Sequence, residues 1–176
     1  MQSWRVPIGR PWDLRLHGIL RCLGEVRVYE EFLAMADAPL YAKFLGIWTL
    51  IPESCDYEQG EPPQEATCRI AKDGGNLAFA MHWVDIKGKT HQHEFSGPPN
   101  GKPMPFNGGE LADALVVNAV STRELTTSAL SRGEELMVAQ RQLDETGSAM
   151  RITQIVRFPG GSSQSNVGVY RKSAAS

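Results

Sequence analysis

Phe44-Leu45-Gly46-Ile47-Trp48-Thr49-Leu50-Ile51 is a short apolar run with one glycine and a tryptophan two residues after it. Downstream of it the chain reads as short strands separated by turn residues. Upstream the character is different. The run itself is expected to be the first strand of a closed antiparallel barrel, ending at Pro52, because a proline cannot donate to a central ladder.

Working outward toward the C-terminus, residues 53–64 are polar and carry Gly60, Pro62 and Pro63, an irregular connection. Ala66 to Lys72 is a strand closed by Asp73-Gly74-Gly75-Asn76, a strong turn signal. Leu77 to Asp85 places Leu77, Phe79, Met81 and Trp83 on one face by the period of two. Thr90 to Ser96 is its partner. Residues 97–110 hold four prolines and four glycines, and an irregular stretch of that length is more often functional than a plain connector. Four strands follow in quick succession: Asp113 to Val120, Glu124 to Leu130, Leu136 to Leu143 and Met150 to Phe158. Pro159-Gly160-Gly161 then introduces a last strand, Asn166 to Lys172. About nine strands at roughly 8–12-residue spacing, with no helix between them, predict an all-β, up-and-down antiparallel barrel over residues 41–173. Closure of the sheet removes the unpaired edges.

Toward the N-terminus, Pro7, Gly9, Pro11 and Gly18 break any regular element over residues 1–20, and residues 21–36 show helical spacing. Residues 1–40 are therefore read as a short helical leader, either a cap on the barrel or a dispensable segment. Met35-Ala36-Asp37-Ala38-Pro39 offers an alternative start, so residues 1–34 are expected to be non-native or dispensable.

The 176 residues are 41% hydrophobic and carry a net charge of −2, which suits one domain with a sizeable core and gives no polyanion-binding field, so nucleic acid is not an expected partner. Three cysteines, Cys22, Cys55 and Cys68, form no framework spacing and are read as reduced thiols. No run approaches the ~20 apolar residues of a membrane span, and Arg15, His17 and Arg21 interrupt any secretory h-region. A cytoplasmic location is the expectation.

Gly46-Ile47-Trp48 on the first strand and Val169-Tyr170-Arg171-Lys172 on the last resemble the calycin superfamily: lipocalins, fatty-acid-binding proteins and bacterial lipocalin-like proteins of unassigned function. Lys43 to Leu50, Trp83 to Lys89 and Ser96 to Pro103 look most like the bacterial lipocalin-like group. The resemblance covers residues 43–172. It implies that Trp48 seals one end of the barrel beneath a final-strand arginine, here Arg171, with Gly46 permitting the bend. It lacks the Thr-Asp-Tyr type turn of lipocalins and their disulfide, so no ligand carries over.

The hairpin from Leu77 to Ser96 holds the best site constellation. A two-residue turn at Lys87-Gly88 would set His82 opposite His93. A three-residue loop with Gly88 in the left-handed position would pair Trp83 with His91, Met81 with His93 and Phe79 with Phe95. The second register sorts the residues better by face. It makes Phe79, Met81, Trp83, His91, His93 and Phe95 a wall of apolar bulk with two imidazole handles, suited to a small, mostly apolar ligand. The 97–110 loop is expected near its mouth. The same stripe would also serve to fill a solid barrel. Only the other register gathers His82, His91 and His93, and no carboxylate or fourth ligand accompanies them, so no metal is assigned and no cofactor is named. Two further expectations stand beside ligand binding: an enzyme using His91 or His93 against Asp113, and a solid barrel that acts as an interaction module.

Overall fold

The computed structural model describes residues 38–107 and 112–174; the expected leader lies outside the described residues apart from its last three positions. A short 3-10 helix, Ala42–Phe44, leads into ten antiparallel strands: β1 (Gly46–Tyr57), β2 (Glu65–Asp73), β3 (Asn76–Val84), β4 (Thr90–Gly97), β5 (Met104–Pro105), β6 (Ala114–Ser121), β7 (Glu124–Ser131), β8 (Glu134–Leu143), β9 (Ala149–Arg157) and β10 (Ser163–Lys172). They form one sheet in the order β4-β3-β2-β1-β10-β9-β8-β7-β6-β5. Every pairing is a hairpin with the next strand except β1 with β10, which curls the sheet into a nearly closed barrel. The strand beyond the nine expected is the two-residue β5, inside the proline-rich segment.

The turns obey the chemistry of their residues. Arg132 and Gly133 both have positive φ, 53° and 83°, the two-residue hairpin geometry that matches strand twist. Gly88, at φ 76°, closes a three-residue loop between Asp85 and Lys89, with the Asp85 amide donating to the Lys89 carbonyl at 3.0 Å.

The alternation of apolar residues fills one end of the barrel. Phe44, Trp48, Leu77, Leu125, Leu143 and Met150 are buried there together. The Trp48 indole donates to the Phe44 carbonyl at 2.8 Å, so the 3-10 helix plugs that end. Arg171 does not pack over Trp48. It pairs with Thr49 and is exposed, whereas Lys172 pairs with Trp48. The period of two sends neighbouring residues to opposite faces, so it is the Lys172 ammonium that lies 5.2 Å from the Trp48 ring and donates to the Lys43 carbonyl at 2.8 Å. Gly46 has φ 133°, and a β-carbon there would come within 3.1 Å of Lys172 Cε. The positive φ is what requires glycine there, while a β-carbon would only press on the flexible lysine side chain that covers the end.

The first strand does not stop at Pro52. Ile51 pairs with Val169 and Asp56 with Val167, so five steps on β1 match two on β10. The Ser54 hydroxyl bridges the bulge, accepting from the Val169 amide at 2.9 Å and donating to the Ile51 carbonyl at 2.6 Å. Three extra residues, an odd number, invert the facing of the rest of the strand, so Tyr57 lies beside Asn166 on the inner face.

The seam of the barrel lies between β4 and β6. The described part of the long loop runs along it. Asn100 bridges Asn118, and the Gly101 amide donates to the Val117 carbonyl at 2.9 Å. A β-carbon at Gly97 would stand 3.0 Å from both Met104 Sδ and Val117 Cγ2, so glycine lets the loop lie flat on β6. Residues 97–107 therefore seal the wall and do not line the cavity.

Candidate functional site

At the end opposite Trp48 the interior is not filled. A cavity of about 490 Å³ opens there, bounded by Met81, Trp83 and His93 on one side and by Tyr57, Gln154, Asn166 and Tyr170 on the other. Ala66, Thr67, His82, Asp85 and Met137 complete much of its boundary. The apolar side comes from the β3–β4 hairpin and the polar side from β1, β9 and β10.

The hairpin adopts the three-residue register. Trp83 pairs with His91, Met81 with His93 and Phe79 with Phe95, while His82 faces Gln92 and does not share a face with the other two histidines. Of the six wall residues read from the sequence, Met81, Trp83 and His93 bound the cavity. Phe79 and Phe95 stack on each other at 4.7 Å between centroids and belong to the packing beneath it. His91 stacks on Trp83 at 5.2 Å and 12°.

His91 Nε2 also lies 2.9 Å from Asp85 Oδ2, and the other Asp85 oxygen accepts the Lys87 and Lys89 amides at 2.9 Å each. The His91 hydrogen bond, with the Lys89 amide next, holds the Asp85 carboxyl below the usual carboxylate range. Asp113 forms no pair with either histidine; its carboxylate accepts the Arg132 amide at 2.8 Å and organises the β7–β8 turn. The acid–base pair expected from the sequence is therefore not assembled around Asp113. Among the described residues no group of three metal-ligating side chains is found.

Below the cavity floor stands a residue the sequence reading missed. Arg141, on β8, is 1% exposed. Its Nη1 donates to the Thr127 hydroxyl at 3.0 Å and to the Ala139 carbonyl at 3.3 Å, its guanidinium sits 4.9 Å over the Phe79 ring, and its Nε has no partner among the described residues. Among the described residues the two ion pairs are His91–Asp85 and Arg157–Glu135, so no carboxylate there balances Arg141. Burial pushes its pKa down, with Cys68 and Tyr170 opposing, yet a guanidinium keeps its proton in proteins. Cys68 lies against it. Burial raises the Cys68 thiol, and Arg141 only partly offsets this, so the neighbour is a neutral thiol. Tyr170 links the two regions, since it lines the cavity and interacts with Arg141; burial pushes its phenol well up. Asn166 Oδ1 in the cavity wall is likewise buried without a partner among the described residues. The signal for Arg141 was available by parity, because it shares a face with Leu143 and Ala139 on β8.

No family model matches the chain, and no curated protein matches it. Among solved structures it is similar to a Schistosoma mansoni fatty acid binding protein in complex with arachidonic acid (15% identity, 77% of this chain and 100% of that one, TM-score 0.48). It is also similar to a zebrafish ileal bile acid-binding protein complexed with cholic acid (15% identity, 75% and 100% covered, TM-score 0.43). A third is the siderocalin Ex-FABP (10% identity, 77% of each chain, TM-score 0.43). Among the described residues no helix is long and apolar enough to cross a membrane.

Proposed function

We propose that this barrel binds a small, mostly apolar molecule that carries an acidic group, with the body in the cavity against Met81, Trp83 and His93 and the acid directed past Tyr170 toward Arg141. The observation that carries it is the fully buried guanidinium, which has no counter-charge among the described residues. Burying an ion costs several kcal/mol, on the order of what a whole domain can spare, and a ligand carboxylate would relieve it. The unfilled half of the barrel favours a binder over a solid interaction module, since about 490 Å³ lies in the range of small-molecule sites. Among the described residues no paired catalytic groups converge on the cavity floor, so binding is the better-supported role than turnover.

The test is a matched pair of probes, oleic acid and oleyl alcohol, titrated into the native protein and into Arg141→Met. The native protein is expected to prefer the acid at least about tenfold, as a charge-assisted hydrogen bond would give, and the variant to bind both alike. Equal affinity of the native protein for acid and alcohol removes the acidic group from the proposal. Failure to bind either, or a panel of aromatic acids, removes the proposal as a whole.

A further inference from the structure

The wall of the barrel is split beside the cavity. The β1–β2 ladder runs only from Gly46–Ile70 to Thr49–Thr67. Beyond it β1 follows β10, through Asp56–Val167 and Tyr57–Asn166, and β2 follows β3, through Ala66–Trp83 and Glu65–Val84. The bulge after Ile51 marks the divergence, and Pro52 has no amide with which to rejoin β2. A groove of about 360 Å³ lies over this split, and it shares Ala66, Thr67, His82 and Trp83 with the interior cavity as common lining.

The β1–β2 connection crosses the split as a strap. Its first residue is fastened to β10: the Glu58 amide donates to the Ser165 carbonyl at 3.1 Å, and Glu58 Oε2 accepts the Ser165 amide at 2.7 Å. Gln164 Nε2 also donates to the side-chain carbonyl of Gln59. Its last residue is fastened to the other wall, where the Gln64 amide donates to the Val84 carbonyl at 2.9 Å and Gln64 Nε2 to the Ile86 carbonyl at 3.2 Å. Between these clamps lie Gly60, at φ 80°, and Pro62-Pro63, neither of which has an amide to tie it down. Glu61 and Pro63 of the strap line the cavity.

We propose that ligand enters and leaves sideways, through the split between β1 and β2, and that release of the Glu58 clamp on β10 opens the strap above it. This rests on the cavity being a binding site, but the split can be probed without any ligand. Cys68 is on the inner face of β2, opposite Trp48 and next to Thr67 where the β1–β2 ladder ends, and is 1% exposed, so its reaction with methyl methanethiosulfonate reports access to the interior, and its response to changes at the split assigns the route. Site-resolved peptide mass spectrometry separates it from Cys22 and Cys55.

Two variants and one dye test the entrance. In Glu58→Ala, with the thermal midpoint unchanged, Cys68 should be labelled at least about threefold faster. The association and dissociation rates of 1-anilinonaphthalene-8-sulfonate should rise together, leaving Kd within about twofold, as a lowered entry barrier requires. In Ala66→Leu, which narrows the split, labelling and dye exchange should both slow. If Ala66→Leu folds poorly, Thr67→Ile at the end of the ladder serves instead. Unchanged Cys68 labelling in both variants overturns the entrance, as does a shift of dye Kd in Glu58→Ala that comes from only one of the two rates. If the dye and oleic acid both fail to bind while labelling keeps the expected order, the split opens as described but the binding reading fails, and with it the role of the split as a ligand entrance.

Discussion

Arg141→Met should make the ligand-free protein more stable, not less. The substitution forfeits the contact with the Phe79 ring, about 0.5–2 kcal/mol. It also leaves the Thr127 hydroxyl and the Ala139 carbonyl one donor short, about 1 kcal/mol each. The losses therefore come to about 2.5–4 kcal/mol. Against them stands the penalty of a buried ion with no carboxylate beside it, several kcal/mol and taken here as about 5. The expected net gain is about 1–2.5 kcal/mol, which for a chain of this size raises Tm by about 2–10 °C. Thermal and urea unfolding of carefully delipidated protein, followed by circular dichroism, measures it. Oleic acid should then narrow the gap. At one hundred times the native Kd a ligand adds about 2.7 kcal/mol to the native protein, and about 1.4 kcal/mol to a variant that binds it tenfold more weakly. A ligand-free loss of about 2 kcal/mol or more in Arg141→Met would refute the reasoning, because it would make the guanidinium a structural donor whose hydrogen bonds outweigh its burial.

Three further outcomes are expected. Asp144 accepts the Thr146 hydroxyl and the Ala149 amide, and these hydrogen bonds hold its carboxyl at about 2. A carboxylate with a depressed folded pKa stabilises the fold above its unfolded value near 3.8 and loses that contribution as pH falls from about 4 through about 2. Asp144→Asn should flatten this acid limb of the stability profile measured by urea unfolding, and an unchanged limb would show the turn does not depend on the charge. At the sealed end, Lys172→Ala should cost about 0.5–2 kcal/mol through the lost Trp48 contact. Arg171→Ala should stay within about 0.5 kcal/mol, as exposed substitutions do, and the reverse order in thermal unfolding would restore the arginine as the covering residue. Gly97→Ala drives a β-carbon to 3.0 Å from Met104 Sδ and Val117 Cγ2, so a loss of about 1–3 kcal/mol is expected from overpacking; thermal unfolding within error of the native protein would mean that the loop yields.

The features legible in the sequence were those that depend on neighbours along the chain. The Asp85 to Lys89 turn and the apolar odd positions of β3 determined the hairpin register, because a one-residue slip would turn Trp83 and Met81 outward. Trp48 was placed at the sealed end. Legibility failed where a local rule was overridden by a distant partner. Pro52 reads as a strand end, yet the Ser54 hydroxyl substitutes for a missing ladder bond from β10. Arg171 and Lys172 are equally plausible covers for Trp48 until the β1–β10 register assigns their faces. Ala139-Gln140-Arg141-Gln142 looks like a solvated stretch, because nothing in composition distinguishes a buried cation from an exposed one. Counting by twos from Leu143 would have put Arg141 inside.

The single pairing that is not a hairpin also governs how the barrel comes together in time. The other strands can zip onto a neighbour across a short connection, but β1 must find β10, and Thr49 and Ser173, whose hydroxyls meet there at 3.0 Å, are 124 residues apart in the chain. Loop-closure cost grows by about 0.6 kcal/mol per doubling of length, so this contact carries about 2–3 kcal/mol more ordering cost than a hairpin of a few residues. The costliest ladder to close is then the one carried by β1, the strand whose second half leaves β2. A chain caught before that step would expose two long unpaired edges, and its tendency to aggregate during refolding would be set by how quickly Trp48 and Lys172 meet.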